Sequence, residues 1–143
     1  MITSDPPERL RVVAAALLDG LGRVLIAERP LGKAMAGRWE FPGGKIAAGE
    51  SPEAALRREL REELGVETEE AHFVMDLVHA YPEREVHLMF FVVSRYTGDP
   101  KPLDGQQLRW VDCDRLHEAD ILEADLPFIH ALQRRAGGAT MRP

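Results

Sequence analysis

The chain has 143 residues, of which 45% are hydrophobic and 29% are charged, and its formal net charge at pH 7 is -6. This length suits one globular domain with a hydrophobic core and is too short for two. The acidic balance argues against the basic surface with which proteins hold nucleic acid polymers, so no such polymer is expected as a partner. The single cysteine, Cys113, excludes an internal disulfide and favours a reducing cytoplasm.

The ends of the chain are polar or rich in small residues, and no run is long and apolar enough for a membrane span. We therefore expect no signal peptide, no membrane partner and a cytoplasmic location. A single domain is expected over residues 1–143, with flexible tails at about 1–9 and 136–143. The sequence leaves a monomer and a homodimer equally open.

Hydrophobic periodicity and turn residues predict strands and two helices. In chain order they predict strands over 11–18 and 23–29 that resemble a hairpin, a loop over 29–38, a short extended segment over 39–41, a glycine turn, a helix over 52–64, strands over about 71–80 and 86–94, a polar loop over 104–107, a strand over 108–111 and a helix over 127–135.

Three glutamates, Glu59, Glu62 and Glu63, share one side of the first predicted helix. Positions i, i+3 and i+4 of a helix project into one small volume. Carboxylates at such short distances repel one another, and hard divalent cations such as Mg²⁺ or Mn²⁺ relieve the repulsion. The pattern therefore predicts a metal site that takes a phosphoanhydride. The alternative is a solvated helix with ordinary ion pairs, such as Arg58 with Glu62.

The leucines of the same helix show where this acidic side faces. Leu56, Leu60 and Leu64 form an apolar stripe about 100° from the glutamates, so the carboxylates border the core. That position suits the floor of a cleft. Ser51 is expected to cap the start of the helix, and Gly65 can adopt the left-handed conformation that ends it.

The whole segment 44–66, GKIAAGESPEAALRRELREELGV, has the residues and spacing of the Nudix box, so the chain resembles the Nudix hydrolases. The preceding WEFPGG, residues 39–44, is similar to the entry segment of MutT-type members. The resemblance continues through residues 81–84, 104–110 and 124–127 and covers about 120 residues.

The resemblance implies an α/β fold with a mixed β-sheet sandwiched between helices. It also implies Mg²⁺-dependent hydrolysis of nucleoside triphosphates to monophosphate and pyrophosphate, with Mn²⁺ as a substitute. Many MutT-type enzymes remove 8-oxo-dGTP from the nucleotide pool, whereas similar sequences prefer CTP or methylated dCTP. Hydrolases of ADP-ribose or dinucleoside polyphosphates are further alternatives. A non-hydrolytic nucleotide-sensing module is an alternative of another class, but such a module usually lacks a metal-binding glutamate, and all three are present.

By position in the resemblance, Glu59, Glu62 and Glu63 would hold the metal ions together with the backbone carbonyl of Gly43. Arg58 would orient these carboxylates, and Glu50 would add a nearby charge or hydrogen bond. The catalytic loop acid of the family falls on Asp104, where a glutamate is more usual. Asp104 could equally be a turn residue before Gly105.

The resemblance also assigns substrate contacts, each with a plainer alternative. Gly43 and Gly44 would let the backbone approach the ligand. Arg29 would bind phosphates or be a surface charge. Phe41 would border the base or belong to the core. Arg84 would stack on the base or lie in a solvated turn.

Asp125 stands where guanine-reading relatives carry asparagine. An ionised aspartate only accepts hydrogen bonds, so it suits a base edge rich in N–H groups, unless it merely caps the helix near Pro127. We rank 8-oxo-dGTP first and cytosine triphosphates second.

Overall fold

The structure, a computed structural model, describes residues 9–30, 32 and 35–140, with side chains as far as residue 135. Its elements are β1 (Arg9–Leu17), β2 (Arg23–Glu28), β3 (Trp39–Glu40), β4 (Gly43–Lys45), α1 (Pro52–Leu64), β5 (Glu67–Ala80), β6 (Glu85–Thr97), β7 (Leu108–Asp112) and α2 (Leu126–Thr140), with 3₁₀ turns at Cys113–Glu118 and Glu123–Asp125. No helix of this described part has the length and apolar character that crossing a membrane requires.

The strands form two sheets. A mixed four-stranded sheet has the order β4-β1-β6-β5, in which β1 runs parallel to β6, and a three-stranded antiparallel sheet has the order β3-β2-β7. The predicted hairpin of the first two strands is wrong, because only the bridge between Leu18 and Val24 joins them. The physical reason lies in β1, which is buried on both faces from Val13 to Leu17 and therefore occupies the sheet interior.

The mixed sheet is the central layer of the molecule. Leu56, Leu60 and Leu64 of α1 pack on one of its faces, with Val13 and Phe91 in the same hydrophobic cluster. A second cluster on the other face contains residues of the three-stranded sheet and α2, among them Ile26, Phe90 and Phe128. The predicted α/β architecture, a mixed sheet between helices, is confirmed.

Helix α1 begins and ends as its sequence predicts. The hydroxyl oxygen of Ser51 accepts a hydrogen bond from the N–H of Ala54 at 3.1 Å, and Gly65 ends the helix with φ 71°. Leu60 and Leu64 are completely buried. The helix is thereby fixed at both ends and along one side, which orients its glutamates.

The described strands and helices reach into both segments that the sequence predicts to be flexible tails, and the flexibility of these segments stays a prediction. Arg9 already pairs with Glu85 between β1 and β6, and α2 continues to Thr140 across residues that were assigned to a tail. Phe128, Ile129 and Leu132 are buried and anchor the first turns of α2, from which the helix continues. Residues 1–8 and 141–143 lie outside the described residues.

Candidate active site

A cavity of about 520 Å³ opens beside α1, within the usual size range of small-molecule sites. Strands β1, β3 and β4 supply its walls, with α1 at one end and the 3₁₀ turn before α2 at the other. The predicted site residues that line it are Arg29, Phe41, Gly43, Gly44, Glu59, Glu63, Asp104 and Asp125.

The two glycines of β4 are required by close packing. A Cβ atom on Gly43 would lie 2.0 Å from the carbonyl oxygen of Val13, and one on Gly44 would lie 2.3 Å from the carboxylate of Glu59. The contact at Gly43 is with backbone and excludes a side chain, whereas a side chain at Gly44 would force the carboxylate of Glu59 to move. The glycines therefore bring the backbone of β4 directly against the acidic face of α1.

Glu63 lies deepest among the three glutamates. One of its carboxylate oxygens, Oε2, accepts a hydrogen bond from the N–H of Gly43 at 3.0 Å. Burial raises the pKa of Glu63 to about 8, and the charges of Glu59, Glu40 and Asp104 add to the increase, whereas the Gly43 hydrogen bond opposes it. Near neutral pH, this carboxyl group therefore carries a proton that a bound cation would displace.

Arg58 connects the other carboxylates. Its guanidinium donates to Glu50 at 2.7 and 2.9 Å, to Glu59 at 2.9 Å and to Glu62 at 3.3 Å, and it also donates to the carbonyl of Lys45 at 3.0 Å. Hydrogen bonding to Arg58 lowers the pKa of Glu50 to about 2. Burial raises the pKa of Glu59, although Arg58 opposes this increase. This guanidinium thus holds three carboxylates in fixed positions beside β4.

Oxygen donors for a hard cation are present on α1 and β4. Within the described residues, no three acidic, histidine or cysteine side chains converge closely enough to enclose a metal ion. Arg58 holds Glu59 and Glu62, the side chain of Glu62 is 59% exposed, and the N–H of Gly43 holds Glu63. A cation would therefore bind by drawing these carboxylates away from hydrogen-bond donors that are already in place. The donor set fits Mg²⁺ or Mn²⁺.

Asp104 projects from the exposed loop before β7 and lines the cavity. Its charge contributes to the raised pKa of Glu63, which lines the same cavity. The neighbouring Gly105 has φ 76° and donates from its N–H to the carbonyl of Pro102 at 3.0 Å. Asp104 therefore belongs to a tight turn and also faces the cavity, so the two alternatives for this residue are compatible.

The far end of the cavity holds Asp125, which is only 6% exposed. Its carboxylate oxygen Oδ2 lies 3.5 Å from the backbone nitrogen of Phe41, the residue after β3, and accepts a long hydrogen bond from it. Burial raises the pKa of Asp125 to about 7; the charge of Glu40 also raises it, while the Phe41 hydrogen bond and Arg29 lower it. Our assumption that this aspartate is ionised and only accepts is corrected, because near pH 7 it is partly protonated and then also donates.

Of the other predicted substrate contacts, Arg29 and Phe41 line the cavity and Arg84 does not. Arg29 lines the cavity and pairs with Glu40 at 2.9 Å. Phe41 lines the cavity, and its ring packs edge-on against Phe128 with centroids 4.9 Å apart; because the residue is only 3% exposed, it also belongs to the core. Arg84 does not line the cavity; its carbonyl accepts from the N–H of Tyr81 in the turn between β5 and β6.

A family model described as the NUDIX domain matches residues 8–132. The chain belongs to the Nudix family. It is 33% identical over 127 residues to the 8-oxo-dGTP diphosphatase of Escherichia coli strain K12, covering 89% of this chain and 98% of that protein. It is 35% identical over 119 residues to the CTP pyrophosphohydrolase of the same organism, covering 83% of this chain and 88% of that protein.

Solved structures agree with these relatives. A MutT structure from work on Aliivibrio salmonicida and Vibrio cholerae superposes with a TM-score of 0.79 at 32% identity, covering 90% of this chain and 99% of that chain. The protein is therefore a Nudix hydrolase with the fold of the MutT proteins. Nudix hydrolases generally use divalent metal ions and act on nucleotide substrates.

Glu40 and Tyr81 line the cavity but are not among the site residues that the Nudix resemblance assigns. Glu40 pairs with Arg29, and its charge raises the pKa values of both Glu63 and Asp125. Its signal was the alternation of β3, which points it to the side opposite Trp39. Tyr81 lines the cavity with 43% of its surface exposed, in the turn where Arg84 was the predicted contact.

Proposed function

We propose that this Nudix hydrolase converts nucleoside triphosphates to the monophosphate and pyrophosphate with Mg²⁺, for which Mn²⁺ would substitute. We further propose 8-oxo-dGTP as the preferred substrate, so that the protein would cleanse the cytoplasmic nucleotide pool. The observation that carries the proposal is that one cavity joins the acidic face of α1 to the buried Asp125. A nucleotide has the same two ends, a triphosphate and a base.

At the triphosphate end, Glu59, Glu62, Glu63 and the carbonyl of Gly43 would hold the cations. Bound divalent cations would neutralise the triphosphate and lower the pKa of a coordinated water. Arg58 supports this assignment because it orients both Glu59 and Glu62.

Two further residues would act on the substrate directly. Arg29 would bind phosphate oxygens through its guanidinium, which Glu40 holds at the cavity wall. Asp104 would accept the proton of the attacking water, because it faces the cavity near Glu63. By the family resemblance, the water attacks the β-phosphorus and the nucleoside monophosphate leaves.

At the base end, the raised pKa of Asp125 supports guanine recognition. When protonated, this carboxyl group donates and accepts as an asparagine does, and when ionised it accepts from the N1–H and amino edge of guanine. Oxidation at C8 adds an N–H donor at N7 and an acceptor at O8. The backbone of Phe41, which borders the same cavity, would read part of that change.

Cytosine triphosphates are the second candidate. The likeness to a CTP pyrophosphohydrolase favours them, and the amino group of cytosine is a donor that the carboxylate of Asp125 can accept from.

The base assignment is tested by Asp125→Ala in a panel of purine and pyrimidine triphosphates. Because recognition through buried hydrogen bonds depends strongly on each partner, kcat/KM for the preferred nucleotide should fall ~10-fold or more while poor substrates change little. Glu123→Gln, an exposed acid in the same turn, is the matched control. An equal loss across all nucleotides would show that Asp125 supports the start of α2 and does not read the base.

A further inference from the structure

Gln106 is a buried polar residue between the Asp104 loop and the last turn of α1. It is 7% exposed, and both ends of its amide make hydrogen bonds. The carbonyl oxygen Oε1 accepts from the backbone N–H of Asp104 at 3.0 Å, and the amide nitrogen Nε2 donates to the backbone carbonyl of Glu63 at 3.4 Å. One side chain thus joins the backbones of two acids that line the same cavity, Asp104 and Glu63.

The surrounding loop is fastened to the same helix turn. The N–H of Lys101 donates to the carbonyl of Leu64 at 2.9 Å, and the N–H of Leu103 donates to the carbonyl of Glu63 at 3.1 Å. The last carbonyls of a helix have no partner within the helix, so this loop satisfies them. The Gly105 N–H closes the turn around Asp104 by donating to the carbonyl of Pro102, but the bond from Gln106 to the carbonyl of Glu63 is the one that ties the Asp104 side of this turn to α1.

We propose that Gln106 is a positioning residue that holds Asp104 over the cavity at a fixed distance from Glu63. This assignment rests on the proposed function, in which Asp104 accepts the proton of the attacking water. Aspartate has a short side chain with a single methylene, so the place of its carboxylate depends closely on the position of its backbone. A misplacement of about 1 Å at a reacting group can cost ~10²-fold in rate.

The chemistry of the position requires glutamine. Glutamate would keep the acceptor for the Asp104 N–H but would lose the donor to Glu63 and bury a charge among other acids. Asparagine is one methylene shorter and would not span both backbone groups. Leucine has a similar volume but makes neither hydrogen bond, so Gln106→Leu removes the connection without emptying the space.

The test combines a double-mutant cycle with amide exchange. Gln106→Leu is compared in the unmodified chain and in an Asp104→Ala background, with Gln107→Leu, an exposed neighbour, as the control. If Gln106 acts through Asp104, kcat should fall ~10-fold with little change in KM in the first background and less than ~2-fold in the second. Equal losses in both backgrounds would overturn the assignment, because they would show a general structural effect.

Hydrogen exchange gives an answer that does not depend on activity. The backbone amide of Asp104 should exchange ~10-fold faster or more in Gln106→Leu than in the unmodified chain or in Gln107→Leu. Gln106→Met provides a second apolar variant if the leucine variant folds poorly. Unchanged exchange at Asp104 in a folded variant refutes the positioning role even if the enzyme is active. Absence of pyrophosphate release by the unmodified chain would instead refute the proposed function, while the exchange result still decides what Gln106 does.

Discussion

Replacing Asp125 by asparagine should make the protein more stable at alkaline pH. Burial raises the pKa of this carboxyl group from 3.8 to about 7, so the folded state binds its proton more tightly than the unfolded state does. Between about pH 4 and pH 7, the folded protein therefore holds more protons, and its free energy of unfolding decreases as the pH rises. Above about pH 7, Asp125 is ionised in both the folded and the unfolded state, and the free energy that its burial costs the folded state no longer changes with pH.

The size of this effect follows from the two pKa values. A difference of about three pKa units corresponds to at most about 4 kcal/mol, because each unit contributes about 1.4 kcal/mol. Asparagine has the same shape and can still accept from the N–H of Phe41, but it never ionises. The Asp125→Asn variant should therefore exceed the stability of the unmodified protein by only about 1 kcal/mol near pH 4.5 and by up to about 4 kcal/mol at pH 8.5.

Urea unfolding in EDTA at a series of pH values measures this difference without bound metal. Glu123→Gln, which changes an exposed acid two residues away, controls for the loss of one negative charge. Any remaining pH dependence in Asp125→Asn comes from the other carboxyl groups with shifted pKa values, among them Glu63, whose pKa is raised by burial, and Glu50, whose pKa is lowered by Arg58. A stability difference that stays the same from pH 4.5 to pH 8.5 would refute the conclusion that Asp125 is protonated near neutrality.

Two further predictions concern the metal end of the cavity. Glu62→Gln should lower turnover ~10²-fold or more at saturating substrate and Mg²⁺. Its unfolding temperature in EDTA should be maintained because this side chain is exposed. Near-normal turnover would show that Glu62 is not a ligand of the metal. Mg²⁺ binding at pH 7 should release a proton from Glu63, whose pKa is raised to about 8. The apparent affinity of the protein for Mg²⁺ should therefore increase as the pH rises to about 8. Calorimetry in buffers of different ionisation enthalpy measures this release, which Glu63→Gln should abolish.

The acidic site could be predicted because its geometry is local. Glu59, Glu62 and Glu63 belong to a helix whose start and end are encoded by Ser51 and Gly65; Glu59 and Glu63 line the cavity, whereas Glu62 does not. No distant contact had to be known. The roles of these residues in catalysis stay predictions until they are measured.

Long-range features could not be predicted from the sequence. The hairpin was wrong because β1 pairs with β6, which lies more than 70 residues later in the chain. The ion pair between Arg29 and Glu40 arises because β3 pairs with β2. The protonation of Asp125 depends on its burial between the end of the cavity and β3, which only the assembled fold creates.

Product analysis with a nucleotide panel tests the central claim most directly. The protein is incubated with Mg²⁺ and each common and oxidised nucleoside triphosphate in ¹⁸O-labelled water. The products are then separated, and mass spectrometry identifies each product and the position of the label. We predict monophosphate and pyrophosphate, with the label in the pyrophosphate because water attacks the β-phosphorus, and with the highest kcat/KM for 8-oxo-dGTP. Release of orthophosphate, label in the monophosphate, or no turnover of any triphosphate would contradict the account.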